Sequence, residues 1–324
     1  MAGTVLRRLA HMIAVLFGIS VLVFLIFFAT PGADPAARIA GKDASPQTIA
    51  RVEKQFGLNR PLPVQYALMM KKLFVTRNLT SFVNLGEKVV PQVFKAAPIT
   101  LSLVSGAAVL WIGFAILIGG LAAAFRGGWI DRLLMVLSLI GISMPVFWVG
   151  TMANLITQGP FHHTWLFSWV PPLGYVPFSR APLGWFRALV IPWVTLAILY
   201  IGLYARVLRA ALIETMQEDF IRTARAKGLS ERQVLLRHAL RCSLVSVVTL
   251  FGLDFGVLVG GGALLTEVVF GLQGVGYLTY QALETLDLPM IMATVIYASV
   301  FVVVSNAVVD IVYAAFDPRM RVRR

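Results

Sequence analysis

Residues 220–240, FIRTARAKGLSERQVLLRHAL, crowd five arginines and lysines around a glycine, between two long apolar runs. Arg222, Arg225 and Lys227 precede Gly228, and Arg232, Arg237 and His238 follow it. Cations at helical spacing can meet acidic groups on another protein, and small neighbours such as Ala224, Ala226 and Gly228 let its surface approach the backbone. A second candidate is Asp254, inside the apolar run LFGLDFGVLVGGG. A carboxylate in hydrocarbon costs about 2.5–3.5 kcal/mol on insertion scales, so it must face a bundle interior or water. There it can attract a ligand's ammonium group, or bond to neighbouring helices or to Arg206. Asn154, inside another apolar run, is a second polar candidate for facing such a ligand, although Asn154 and Asn306 also suit bonds between helices. His162 and His163 suggest a metal, but adjacent side chains diverge on a helix and no further ligand lies close in sequence, which argues against zinc. The single cysteine, Cys242, excludes an internal disulfide. The chain contains neither a G-x-x-x-x-G-K-[ST] phosphate cradle nor a nucleophile elbow. Catalysis and ATP binding by this chain are therefore not expected.

The elements that position these groups are apolar. Residues of hydrophobic type make up 58% of the chain and charged residues only 13%, a balance that excludes a soluble domain. Apolar runs at 9–30, 98–125, 130–158, 187–211, 243–266 and 290–316 are each long enough to cross about 30 Å of hydrocarbon as a helix. The expected fold is all-α, an integral membrane protein of six transmembrane helices, because the ten-residue alternating strands of a barrel are absent. The run from Leu9 to Thr30 is too long for a signal-peptide core and ends in TPGADP, so it reads as a retained first span.

Orientation follows from the short loops. RGGWIDR at 126–132, the 207–242 segment and the tail DPRMRVRR are basic, whereas 267–289 has no Lys or Arg. The positive-inside rule then places both termini and the 207–242 segment in the cytoplasm of a multi-pass cell-membrane protein. The same rule accounts for the net charge of +13 without nucleic acid, for which no recognition motif is present. Residues 31–97 resist this scheme. They carry ten basic and four acidic residues but fall on the external side, in a loop too long for the rule to govern. Within that loop, SPQTIARVEKQFGL has the start and stop signals of a short surface helix. The aromatic and proline-rich WLFSWVPPLGYVPF, 165–178, suits an interfacial belt better than a specific contact.

Helical periodicity continues through 213–227, with Ile213, Met216, Phe220 and Ala224 on one side, and resumes over 231–242. Gly228 lies between, where a helix can end in the left-handed region. The expectation is a cytoplasmic helix–turn–helix spanning about 213–242. Charge alone would suit any cytoplasmic loop, but RTARAKGLS…VLLRHAL resembles the coupling loop of permease subunits in binding-protein-dependent ABC importers, with the usual Glu-Ala-Ala replaced by Arg222, Thr223 and Ala224. FATPGADP, FGLNRPLPVQY, APITLSLVSGAA, TEVVFGLQGVGYL and NAVVDIVYAAFDPRMR resemble further motifs of the family's peptide branch, in the same order along the chain; Gln273 stands where the family has proline.

This resemblance implies a type I ABC importer transmembrane fold. It divides the chain into an N-terminal span (1–30), an extracytoplasmic segment (31–97), a permease core (98–316) and a cytoplasmic tail (317–324). It assigns ATPase coupling to Arg222, Thr223, Ala224, Arg225, Ala226, Lys227, Gly228 and Leu229. The implied partners are a second homologous permease, two ATP-binding-cassette ATPases or a fused pair, and an extracytoplasmic peptide-binding protein. ATP and magnesium belong to the ATPases, and no cofactor or metal is expected in this chain. The implied cargo is peptide, oligopeptide ahead of dipeptide. An ion-gradient-driven secondary transporter or channel is the alternative, but it would be expected to show inverted repeats and paired intramembrane acids. A membrane hydrolase lacks a catalytic constellation.

Overall fold

A computed structural model describes residues 2–28, 36–37, 45–84 and 86–316. Among these residues the architecture is helical, with one isolated bridge between Thr80 and Lys88. The first helix, α1, is Ala2–Phe28. Two shorter helices follow. The expected surface helix is present as α2, Pro46–Phe56, with proline in its first turn, where no N–H is needed, and Gly57 leaving it at φ +72°. Next comes α3, Leu62–Met70, which continues as a wider turn over Lys71–Val75.

The next helix, α4 (Val89–Ala124), starts well before the expected span boundary at 98, because Pro98 is accommodated inside it. Its length of 36 residues exceeds what a bilayer requires. The expected third span, 130–158, is not one rod. It comprises α5, Trp129–Ser143, and α6, Val146–Gln158, bent by 95°. Pro145 is the cause: it drives Met144 into extended backbone (ψ 125°) and then begins α6. The fourth span is α7, Pro182–Thr215. After it come α8, Asp219–Ala226, and the long α9, Glu231–Gly262. The expected end of that span at 266 moves back to 262, since Gly261 turns the chain at φ +122°. A helical hairpin follows, α10 (Leu264–Phe270) and α11 (Val275–Thr285), before the last helix, α12 (Leu288–Phe316). Among the described residues five helices are long and apolar enough to cross a membrane, six if the bent α5–α6 pair is one span. The FATPGADP motif after Phe28 and the basic tail, 317–324, lie outside the described residues.

The centre of the bundle is the α4–α7 contact, the most extensive between any two elements. Small residues make it possible: a Cβ on Gly106 would overlap the Trp193 indole, and one on Gly119 would press on the Ala205 carbonyl. Trp193 Nε1 donates to the Ser102 carbonyl across the same seam at 2.9 Å. Trp111 of α4 is fully buried and stacks on Tyr200 with ring centroids 4.9 Å apart. A second apolar cluster joins α1, α3, the start of α4, α11 and α12.

Candidate functional site

Three clusters of polar residues stand out, at the α8 elbow, in the mid-bundle and at the α10–α11 hairpin. The expected helix over 213–227 is interrupted. α7 ends at Thr215, residues 216–218 turn, and α8 is a separate helix of eight residues. The interruption shifts the helical phase, so the buried face is not the one read from the sequence. Ile221 and Ala224 are buried, whereas Phe220 is 43% exposed. Ala224 is thus small because α8 packs against the first turns of α9, where Val234 and Ala239 are also buried, and not to admit a partner. Arg222, Thr223, Arg225, Ala226, Lys227 and Gly228 are exposed and form one continuous surface, with Leu229 half-buried at its edge.

The elbow is braced. Arg225 donates from Nε and Nη2 to the Glu231 carboxylate at 2.7 and 3.1 Å, spanning the turn. Ser230 and Gln233 form a reciprocal capping box that starts α9. Gly228 adopts φ +81° with open space around the position of a Cβ, so glycine serves the backbone there and not the packing. Thr215 and Ser243 oxygens, 3.1 Å apart, join the end of α7 to α9. Close by in sequence, Arg209 makes a paired contact with the buried Asp131 of α5, Nε to Oδ1 at 2.5 Å and Nη2 to Oδ2 at 2.6 Å. The Gly127 amide also donates to Asp131. By charge alone the 126–132 turn reads as basic, which hides the role of its one acid, Asp131. The signal was present: a lone carboxylate in a basic turn needs a partner.

In the mid-bundle, Asp254 accepts a hydrogen bond from the fully buried Tyr204 hydroxyl at 2.7 Å. This is the helix-bonding alternative of the sequence reading, with Tyr204 in place of Arg206. Asn154 donates to the Val269 carbonyl at 2.7 Å and so ties α6 to α10, while its Oδ1 is buried without a partner. Asp254 and Asn154 are therefore held by different neighbours, and no contact brings them together. His162 Nδ1 lies 2.9 Å from the Thr157 carbonyl and its ring meets His163 edge-on. Among the described residues no group of three His, Cys, Asp or Glu could hold a metal.

The third cluster lies between the spans and was not singled out from the sequence. Glu267 of α10 is fully buried. One carboxylate oxygen accepts from Thr100 Oγ1 at 2.6 Å and the other from the Tyr277 amide at 2.8 Å, with the Gly276 amide adding a further bond. Thr100 Oγ1 in turn accepts from the Val275 amide at 2.9 Å. The otherwise unpaired amides that begin α11 are thus capped by a carboxylate from α10 and a hydroxyl from α4. A Cβ on Gly274 would overlap that carboxylate, so the backbone must be bare there. Burial raises the Glu267 carboxyl to about 7, against the pull of its hydrogen bonds. Two motifs already noted in the sequence, APITL and TEVVFGLQGVGYL, meet at this point.

Residues 115–322 match the model of the binding-protein-dependent transport system inner membrane component, and residues 1–104 match the N-terminal model of the same transport-system membrane components. The chain belongs to this family: it is a multi-pass permease of a binding-protein-dependent transport system. It is 40% identical over 321 residues to a putative peptide transport system permease of Brucella abortus, covering 99% of each chain. It is 36% identical to a probable peptide ABC transporter permease of Sinorhizobium fredii, over 98% of each. A dipeptide transport system permease of Alkalihalophilus pseudofirmus is 33% identical over 350 residues, 99% of this chain and all of that one.

Proposed function

We propose that this chain forms half of the translocation pathway of an ATP-driven peptide importer. The observation that carries the proposal is the α8 elbow: a short helix with one face packed on α9 and the other presenting Arg222, Thr223, Arg225, Ala226 and Lys227. A surface this small, stiff and cationic suits a groove on an acidic partner, and its attachments suit the transmission of force. α8 continues from α7 through a three-residue turn and leads into α9 through a braced one, so displacing it tilts both long helices. Rigid-body rocking of this kind carries a local event across a bilayer. The energy source is a pair of ATPase subunits, separate or fused, that bind ATP and magnesium, dock on α8 and close on nucleotide. A second, homologous permease completes the pore. Both termini and α8 face the cytoplasm.

The names of the relatives support peptides as cargo, and among peptides we propose oligopeptides ahead of dipeptides. The α10–α11 hairpin, packed against α4, α6, α7 and α12, then lies on the outer side, where an extracytoplasmic peptide-binding protein delivers its load. Asp254, at the level of Tyr204, faces the pathway as the group that favours a peptide's ammonium end. Co-purification tests the assembly: the chain expressed with its own partners retains ATPase subunits and a second permease. Gly228→Asp leaves the chain in the membrane and abolishes ATPase retention and peptide uptake. Normal uptake by that variant would overturn the coupling role of α8. Competition by tetrapeptides but not dipeptides tests the cargo class, and the reverse order would refute it.

A further inference from the structure

The basic excess of residues 31–97 is left unexplained by transport. Much of it lies around one end of the bundle, on Lys71 and Lys72 of the segment that continues α3, on Arg77 just after it, and on Lys88 and Lys95 at the start of α4. Beside it a groove of about 230 Å³ opens between that segment, α4 and α12. Its walls are apolar, formed by Leu73, Val90, Val93, Phe94 and Ile296 among others, and Arg77 is the only charged residue lining it among the described residues. Tyr297 also lines the groove, and its buried hydroxyl has no hydrogen-bond partner among the described residues. Arg77 is exposed, and no carboxylate pairs with it among the described residues. Its backbone is left-handed, at φ +50°, a conformation that a non-glycine residue adopts at a cost.

We propose that this groove binds an anionic phospholipid, with an acyl chain along the α4–α12 wall and its phosphate at Arg77. The placement suits a lipid. Val300 and Ile296 belong to a membrane-crossing helix, whereas Phe74, 55% exposed, and Phe94, 67% exposed, flank the groove with apolar surface that water would penalise. Basic pockets beside membrane helices recognise anionic headgroups, and each Lys or Arg near the surface contributes a several-fold preference. The surrounding lysines extend the same positive field. A peptide would need polar groups to satisfy its backbone, and the walls offer almost none. The inference requires only that the chain spans a bilayer and is independent of the cargo.

The test uses the full chain purified from membranes and exchanged into detergent with defined mixtures of phosphatidylglycerol and phosphatidylcholine. Native mass spectrometry counts the lipids retained. The wild type is expected to keep phosphatidylglycerol at least five-fold over phosphatidylcholine. Arg77→Gln should lose most of that preference while still retaining lipid, and Ile296→Trp, which fills the groove but leaves Arg77 in place, should lose the retained lipid itself. Both variants are scored only as monodisperse protein, and Val109→Trp, at an exposed position away from the groove, serves as the control for added bulk. Equal retention of the two lipids by the wild type, or an unchanged preference in Arg77→Gln, would overturn the proposal. So would photo-crosslinking from position 94 in intact membranes that captures a protein subunit and no lipid.

Discussion

Thr100→Val is the sharpest perturbation of the buried Glu267 cluster, since it keeps the volume of the side chain and removes only the hydroxyl. That hydroxyl donates to Glu267 at 2.6 Å and accepts from the Val275 amide at 2.9 Å. A hydrogen bond to a charged group is worth about 1.5–3 kcal/mol, and a buried amide left unpaired costs about 1–3 kcal/mol. After allowance for relaxation the variant should lose about 3 kcal/mol. Reversible unfolding of the purified chain by dodecyl sulfate in mixed micelles measures the loss. A second reading comes from pH. Thr100 helps hold the Glu267 carboxyl down, so its removal should push that group further up. A loss below about 0.5 kcal/mol, with no change in pH dependence, would refute the claim that α4, α10 and α11 are tied through this hydroxyl.

Glu267 has its own pH signature. Its folded carboxyl titrates at about 7 against an ordinary value of 4.5, so the folded state holds the proton more tightly than the unfolded one. Stability is then greatest below about 4.5, falls by about 3 kcal/mol as pH rises through 7, and levels above it. Glu267→Gln should flatten that decline, and an equally steep fall in the variant would disprove the assignment. Asp254→Asn keeps an acceptor for the Tyr204 hydroxyl, so the fold should stand while uptake of cationic peptides drops several-fold. Unchanged uptake would reduce Asp254 to a bond between helices.

The helices were the legible part of the fold. Long apolar runs specify spans because hydrocarbon leaves the backbone no other partner, and the proline and glycine signals around α2 fixed its ends to within a residue or two. The bend between α5 and α6 was written in Met144–Pro145, yet hydropathy averages across it. The elbow was legible in position but not in phase: the turn at 216–218 breaks the periodicity that made 213–227 look continuous, and with it the assignment of Ala224 to a partner's surface. The Asp131–Arg209 pair and the Glu267 cluster were harder. Their members lie 78 and 167 residues apart, and no local pattern shows that a threonine on one helix will cap another. In the sequence Glu267 is one residue of TEVVFGLQGVGYL, and only the fold shows which amides its carboxylate caps.

Contact between α8 and a nucleotide-driven partner is the claim on which the importer account stands. Cys242 is exposed and is first replaced by serine, after which a single cysteine is placed at Ala226, on the outward face of α8. A short bifunctional reagent applied to membranes holding the assembled transporter should then join this chain to an ATPase subunit, with a yield that changes when a non-hydrolysable ATP analogue is added. Labelling of position 226 by an impermeant reagent from the outer face, or crosslinking only to lipid and unrelated proteins, would contradict it.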